Sequence, residues 1–336
     1  MGRTTIDGMV VTRTPLRVSF AGGGTDLADY YRSGEGVVLS SAIQQHVYVT
    51  LKRHGELFGE PIRLNYSETE QVKRIDELRN EIARECLRFL SVEPPIYVST
   101  VADVPSASGL GSSSAFAVGL LNALHVWRGE RVSAGQLAEE AAHIEIDVLG
   151  HPIGKQDQYA AAFGGCNLLR FLPNGGVSVE PLRSHPRSLD ALFDHLLLFF
   201  TGQFRRSSVV LDEQRTNTER KRKELDQLRE HALRLQAGLL DGFDAAKFGG
   251  VLDETWRIKR ELASGVTDDA IDAMYDAAMN AGALGGKLCG AGGGGFILFV
   301  VPPSRRDDIR AALRGPGEVV LRCEPLGSRV LLPHSE

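Results

Sequence analysis

Glycine is concentrated in three short clusters of this chain, at 22–24, 109–111 and 285–295. Because glycine has no Cβ atom, its backbone adopts positive φ angles and can approach another molecule closely. Most of the other glycines among the 37 in the chain are scattered, so the clusters stand out from the background. We therefore expect three loops at which the backbone lies against a ligand.

Strand-like and helix-like segments follow one another irregularly along the chain. "GVVLSSAI" and "HVYVTLKR" have the β-branched character of strands, whereas 68–90 and 208–239 have the spacing of helices. The lack of a regular βα alternation predicts an α+β fold rather than a doubly wound sheet. A chain of 336 residues is too long for one ordinary core. The polar segment "RSHPRSLD" predicts a division into domains 1–187 and 188–336.

The second glycine cluster lies in "PSASGLGSSSA" (105–115), directly before an apolar run. A helix is expected to begin near Ser112, which would cap it, and to run to about Trp127. Loop amides and the positive end of a helix dipole together bind phosphate groups. A serine-rich linker or an ordinary capped helix is the alternative. A Walker loop is excluded because Ser112 stands where that motif requires lysine.

The third cluster, in "CGAGGGGFILFVV", contains a formal G-x-G-x-x-G at Gly290, Gly292 and Gly295. It follows a predicted helix and precedes a predicted strand, which is the reverse of the order in dinucleotide-binding folds. A dehydrogenase is therefore not expected. A second ligand-binding loop and a glycine-rich turn that serves packing both remain open.

Charged residues near these loops are candidates for chemistry. Asp26 could cap a helix or accept hydrogen bonds from sugar hydroxyls, and its spacing alone favours the cap. Arg17 lies in a predicted strand, where most arginines face solvent. Glu145 lies on the flank of a helix and could reach a cleft. Asp157 follows Lys155 and Gln156, as a buried carboxylate that needs partners would, and a general base with a lysine or arginine beside it would look the same.

The motifs occur together in a fixed order. "TPLRVSFAGGGTD" is followed by "PSASGLGSSSA", by a glutamate eleven residues before "QDQ" in "GHPIGKQDQYAAAFGG", and by "KLCGAGGGGF". This series closely resembles the GHMP kinase superfamily over nearly the whole chain. The resemblance implies an N-terminal domain like domain 2 of ribosomal protein S5, a ferredoxin-like C-terminal domain and an active site in the cleft between them. It also implies ATP and Mg²⁺ as cofactors.

The resemblance implies binding and catalytic roles for individual residues of this chain. The ATP-binding residues would be Ser108, Gly109, Leu110, Gly111, Ser112, Ser113 and Ser114. The Mg²⁺ ligands would be Ser113 and Glu145. Asp157 matches the catalytic carboxylate, and Arg17 matches the cation beside it. The sugar would contact Gly23, Gly24, Thr25, Asp26, Gly290, Ala291, Gly292 and Arg205.

The form "AGGGTD", the segment "GKQDQYAAAFGG" and the helix "WRIK" look most like heptose 7-phosphate kinases. Such enzymes phosphorylate the anomeric hydroxyl of a sugar phosphate. Arg205 is the first candidate to hold the phosphate of the substrate, and Arg206, Lys155, Arg257 and Lys259 are further ones. Another sugar 1-kinase, such as a fucokinase or galactokinase, is the alternative. A silent sensor that binds sugar and ATP is the non-enzyme alternative.

The composition argues against other classes. The net charge is −5, so neither nucleic acid nor a membrane surface is expected as a partner. The longest apolar stretches have the length of strands, far below the roughly 20 residues of a membrane span. The start of the chain has no secretory h-region, and the four cysteines form no CxxC, so reduced thiols in the cytoplasm are expected. The oligomeric state stays open, with a homodimer as one alternative.

Overall fold

The computed structural model describes residues 8–55, 57–182, 186–204, 207–314 and 317–333. Within these residues the chain forms one sheet of eight strands and one of four strands. The larger sheet contains β1 (Met9–Ala21), β2 (Gly36–Arg53), β3 (Ile62–Asn65), β4 (Thr69–Val72), β5 (Ile96–Ala102), β6 (Cys166–Phe171), β7 (Val177–Pro181) and β12 (Arg329–Pro333). The smaller sheet contains β8 (Leu196–Phe200), β9 (Gly285–Leu288), β10 (Phe296–Val300) and β11 (Glu318–Val319).

Helices pack against both sheets, which confirms the predicted α+β class. They are α1 (Ala28–Tyr31), α2 (Glu81–Phe89), α3 (Ser112–Trp127), α4 (Ala134–Ala142), α5 (Gln156–Phe163), α6 (Pro186–Asp194), α7 (Ser207–Asn217), α8 (Arg222–Asp241), α9 (Ala245–Arg260), α10 (Asp269–Asn280) and α11 (Arg306–Ala312). The segment His143–Val148 continues α4 as a π-helix.

β2 is the central strand of the larger sheet. Its 18 residues pair with β1 along one edge and with β6 and then β5 along the other. α3 packs across β1 and β2. Gly119 permits this close approach, because a Cβ there would lie 2.6 Å from Thr14 Oγ1. The Arg17 amide donates to the Leu110 carbonyl at 3.0 Å, so the loop before α3 is tied directly to β1.

The smaller sheet has the order β11, β8, β10, β9, and all neighbours are antiparallel. α9 packs against β9 and buries Trp256. The expected division between residues 187 and 188 falls within α6, before β8 begins. After the smaller sheet, the chain crosses back, and β12 pairs antiparallel with β1. The end of the expected second domain thus contributes a strand to the larger sheet, and the domain limits stay a prediction.

Two predicted helices differ from the structure. The segment 68–90 forms β4, a short 3-10 turn and α2, because buried Glu70 accepts the amides of Arg79 and Asn80 and Asn80 caps α2. The segment 208–239 is divided into α7 and α8. α7 ends at Asn217, whose side-chain amide donates to the Leu262 carbonyl at 3.2 Å. The bonds of Glu70 come from within the segment 68–90 itself, whereas Asn217 bonds to a residue 45 positions further along the chain.

The cysteines and the lengths of the helices bear on the expectations from composition. All four cysteines are free, and only Cys323 is partly accessible. Among the helices in the described part of the chain, none combines the length and the apolar character needed to cross a bilayer.

Candidate active site

A central pocket is lined by elements of both sheets. We define the central pocket as the cavity whose wall includes Arg17, Asp26, Asp157, Lys259, Lys287 and Gly290. β1 and the loop after it supply the first two, and the start of α5 supplies Asp157. α9, β9 and the third glycine loop supply the others. Predicted residues that are far apart in the sequence are thus brought to one cavity.

Arg17 and Asp157 form a bidentate ion pair in the central pocket. Arg17 Nε donates to Asp157 Oδ1 and Nη2 donates to Oδ2, each at 2.7 Å. Arg17 Nη1 donates to the Gly109 carbonyl at 2.7 Å. Arg17 is only 4% exposed, in contrast to the usual solvent-facing strand arginine. These charge-assisted bonds allow the guanidinium to be buried.

Asp26 is a buried carboxyl group in the same pocket. Its Oδ1 accepts the Gly24 amide at 2.9 Å and its Oδ2 accepts the Gln156 amide at 3.3 Å. The helix cap that its spacing favoured is not formed, because α1 begins at Ala28 and makes no side-chain cap. Burial, and then the nearby charge of Asp157, raise the pKa of Asp26.

Gly154 makes room for Asp26. An ideal Cβ on Gly154 would lie 2.0 Å from Asp26 Oδ2, which is less than any real contact. Gly154 also lines the central pocket. The glycine before the start of α5 is therefore required by the position of the Asp26 carboxyl group, a requirement that the sequence alone did not reveal.

The second glycine loop ends at the N-terminus of α3. Gly109 and Gly111 have φ angles of 78° and 77°. Ser112 was expected to cap the helix, but it is the first helical residue, and the N-cap Gly111 has no side chain to accept a bond. The first amides of α3 therefore have no side-chain acceptor at the cap. The Ser108 hydroxyl is buried and also has no partner among the described residues, so this loop offers donors to an anion.

The third glycine loop packs directly on the second. A Cβ on Gly290 would lie 2.6 Å from Gly109 Cα, and a Cβ on Gly295 would lie 2.2 Å from the Ser108 carbonyl oxygen. Backbone therefore meets backbone at these positions, and side chains are excluded. The contact joins a loop of the smaller sheet to the loop that begins α3, beside Arg17.

Glu145 lies close to the start of α3. It is fully buried in the π-helical segment that continues α4, although its spacing predicted the flank of a helix. Its Oε1 accepts the Ser113 hydroxyl at 2.5 Å and its Oε2 accepts Gln158 Nε2 at 2.7 Å. Burial raises the pKa of Glu145. The described residues place no cation within ion-pair distance of this carboxylate. Among all the residues that the structure describes, no group of three or more His, Cys, Asp or Glu side chains is placed so that it could hold a metal ion.

Some predicted substrate-binding residues lie in the central pocket and others do not. Gly23, Gly24, Asp26, Gly290 and Ala291 line it. Thr25 is buried, and its hydroxyl bonds to the backbone of Gly22 and Val37. Gly292 packs against the Val266 backbone, since a Cβ atom on Gly292 would lie 2.7 Å from Val266 Cα. Arg205 and Arg206 lie outside the described residues.

The predicted cations differ in their surroundings. Lys155 is paired with Glu139 and Arg257 is paired with Asp253. Lys259 lines the central pocket, as does Lys287, which is not among the cations predicted from the sequence. The signal available for Lys287 was a lysine inside the third glycine cluster, 285–295.

Two family models and several known proteins match this chain. The model of the GHMP kinases N terminal domain matches residues 73–165, and the model of the GHMP kinases C terminal domain matches residues 220–319. The D-glycero-alpha-D-manno-heptose 7-phosphate kinase of Campylobacter jejuni is 31% identical over 90% of this chain and 92% of its own length. The L-fucokinase/L-fucose-1-P guanylyltransferase of Bacteroides fragilis is 28% identical over 92% of this chain but only 36% of that protein.

Solved structures share the fold. A D-glycero-D-manno-heptose 1-phosphate kinase from Bacteroides thetaiotaomicron matches with a TM-score of 0.80 and 28% identity, over 97% of this chain and all of that one. The galactokinase of Lactococcus lactis matches with a TM-score of 0.74 at 17% identity, over 96% and 95% of the two chains. The chain therefore belongs to the GHMP kinase family and is an ATP-dependent sugar kinase with the fold of that family.

Proposed function

We propose that this enzyme transfers the γ-phosphoryl group of ATP to the anomeric hydroxyl of a sugar. The proposed substrate is D-glycero-D-manno-heptose 7-phosphate, which becomes the 1,7-bisphosphate. The observation that carries the proposal is the position of the Arg17–Asp157 pair, which lies in the central pocket and also contacts the loop before α3. The similarity to the Campylobacter jejuni enzyme supports the choice of sugar.

Asp157 lies between the two regions that the reaction must join. It lines the central pocket, and a Cβ on Gly111 would lie 3.2 Å from its Oδ2. A sugar hydroxyl bonded to Asp157 would therefore face the N-terminus of α3, where we propose the phosphates of ATP bind. Asp157 would accept or align the hydroxyl proton, and an anomeric hydroxyl is more acidic than an ordinary alcohol. Phosphoryl transfer depends mainly on such positioning and on neutralising charge.

Arg17 has two roles in this proposal. It orients Asp157 through the bidentate pair, and its guanidinium would supply positive charge beside the phosphoryl group in the transition state of transfer. The amides of Gly109–Ser114 and the Ser108 hydroxyl would bind the phosphates. Backbone contact from Gly290 would keep water out from the side of the smaller sheet.

Mg²⁺ fits the residues near the start of α3. Glu145 and Ser113 present a buried carboxylate and a hydroxyl, which are the hard oxygen ligands that Mg²⁺ prefers. The carboxylate has no cationic partner among the described residues, and burial raises its pKa, so a cation would compensate its charge. When bound, Mg²⁺ would neutralise charge on the phosphate oxygens of ATP.

Asp26 would bind the sugar rather than take part in the chemistry. Both of its oxygens accept backbone amides, so its orientation is set before the sugar arrives. The glycines at 22–24 precede it where galactokinases have the pattern G-E-H-T-D, which would leave the pocket more open. An open pocket suits a larger sugar than galactose. We propose the cytoplasm as the location, because ATP is available there and all four thiols are free.

A fucose 1-kinase is the second candidate, since the Bacteroides fragilis protein is similar over most of this chain. A coupled assay of ADP release with heptose 7-phosphate, mannose, fucose and galactose tests both. We expect the highest kcat/KM with heptose 7-phosphate, and ³¹P NMR of the product should show an anomeric phosphate. Higher kcat/KM with fucose, or a phosphate on another carbon, would refute the proposed reaction.

A further inference from the structure

Two buried lysines line the central pocket and are not explained by the transfer itself. Lys259, on α9, is 8% exposed, and Lys287, on β9, is 4% exposed. Lys259 Nζ donates to the Leu288 carbonyl at 3.0 Å and to the Gly290 carbonyl. Lys287 Nζ donates to the Ser19 carbonyl at 2.5 Å. Both ammonium groups thus bond to backbone oxygens from within the pocket wall.

The described residues place no carboxylate within ion-pair distance of either lysine. Asp157 is engaged by Arg17, and Asp26 accepts backbone amides. Burial lowers the pKa of Lys287 to about 8. Burial, followed by the charge of Lys287, lowers the pKa of Lys259 well below its ordinary value. A buried ammonium group without an anion is costly, so this part of the pocket favours a negatively charged ligand.

The position of the lysines indicates which ligand carries that charge. They line the same cavity as Asp26, Gly23 and Gly24, the proposed sugar site. Among the described residues that line this cavity, none belongs to the loop Ser108–Ser114, where the proposal puts the phosphates of ATP. The other candidate cations that are described, Lys155 and Arg257, are already paired with carboxylates.

We infer that Lys259 and Lys287 bind a phosphate group that the sugar carries before the reaction, so that the enzyme selects sugar phosphates over free sugars. The inference rests on the proposed function, because it takes the central pocket as the sugar site. A phosphate dianion would accept bonds from both ammonium groups and stabilise their charged forms. The contact would also hold the sugar in place by an anchor separate from Asp26.

Kinetics with a matched pair of sugars test this inference. Lys259→Met and Lys287→Met remove the charge while keeping a long apolar stem, and Lys247→Met makes the same change at an exposed position of α9. ADP release is measured with heptose 7-phosphate and with the same heptose lacking the phosphate. For the phosphorylated sugar we expect each pocket variant to raise KM by about 10- to 100-fold, the range for a hydrogen bond between charged groups. For the free heptose we expect less than a threefold change in kcat/KM, and Lys247→Met should leave both sugars unaffected.

An equal loss of activity on both sugars would overturn the inference. It would mean that the lysines act on the transferred phosphoryl group or on the fold. Unchanged kinetics with heptose 7-phosphate would overturn it too. Melting temperatures of the variants are measured alongside, so that unfolding is recognised as the cause of any loss.

A binding measurement separates this inference from the proposed reaction. The protein is saturated with a non-hydrolysable ATP analogue, which fills the site of all three nucleotide phosphates, and inorganic phosphate is then titrated by calorimetry. We expect wild type and Lys247→Met to bind phosphate, and the Lys259→Met and Lys287→Met variants to bind it at least tenfold more weakly. Equal binding by all four proteins would refute the lysine site even if heptose 7-phosphate is the substrate. Selective loss would support the site even if another sugar phosphate is the substrate.

Discussion

Asp157→Asn is the substitution that tests the proposed chemistry most directly. It preserves the shape of the side chain but removes the negative charge and the ability to accept a proton. A general base typically contributes about 10²–10⁴ in rate, which corresponds to roughly 3–5 kcal/mol of barrier. We therefore expect kcat to fall by about that factor. The KM for ATP should change by less than about threefold, because the proposed ATP loop does not depend on this carboxylate for its donors.

The same substitution should also lower stability. Arg17 is 4% exposed and makes two of its three side-chain bonds to Asp157. Breaking a fully buried ion pair costs about 3–5 kcal/mol. The Asp157 side chain is 22% exposed, and asparagine can still accept one bond from Arg17. We therefore expect a smaller loss, about 1–3 kcal/mol in the free energy of unfolding.

The assay is a coupled ADP-release measurement at saturating ATP, with denaturant unfolding of the same samples. Asp76→Asn is the matched control, because Asp76 is bonded by Arg88 in an exposed ion pair outside the central pocket. It should leave kcat unchanged. Retention of more than about a third of wild-type kcat by a folded Asp157→Asn protein would refute the role of Asp157 as base, since a base typically contributes ~10²-fold or more.

Three further predictions address other parts of the site. Gly154→Ala would place a Cβ atom 2.0 Å from Asp26 Oδ2 and would therefore displace this carboxyl group. We expect the KM for the sugar to rise at least tenfold, which corresponds to about 1.4 kcal/mol, while the KM for ATP stays constant. An unchanged KM for the sugar would contradict this role of Asp26. Glu145→Gln should raise the Mg²⁺ concentration for half-maximal activity by about tenfold or more, and an unchanged Mg²⁺ titration would argue against this ligand. Above the pKa of Lys287, about 8, the ammonium group that would bind the sugar's phosphate loses its proton, so kcat/KM for heptose 7-phosphate should fall as pH rises through 8. Arg17, Lys259 and Cys289 are the charged or titratable groups whose fields act on Lys287, and Lys287→Met should lack this decline if Lys287 causes it.

The loops of the site could be predicted from the sequence because their requirements are local. Glycines that need positive φ, such as Gly109 and Gly111, reveal themselves by residue type. The helix that follows them is marked by its apolar run, and α3 begins and ends within a residue of the prediction. The order of the motifs along the chain then predicted the family and its fold.

The charged residues could not be predicted from local pattern in the same way. Arg17, Asp26 and Glu145 each had a more ordinary interpretation, as a solvent-facing arginine, a helix cap and a helix flank. Each is instead buried, because its partner comes from a distant part of the chain: Asp157 for Arg17, the Gln156 amide for Asp26 and Ser113 for Glu145. The resemblance to known kinases selected these positions, but it did not supply their contacts.

The sequence by itself determined the three glycine loops, the α+β class and the family, since these follow from backbone sterics and from the order of motifs. The resemblance to that family then selected the residues that we propose for the chemistry. Tertiary structure alone decided which side chains share the central pocket. In the tertiary structure Gly290 packs on Gly109, and β12 pairs with β1 of the larger sheet. Lys287 is buried there, and no carboxylate among the described residues lies within ion-pair distance of it. The physical reason is that burial and electrostatic pairing depend on distances between residues far apart in the chain, which no local pattern encodes.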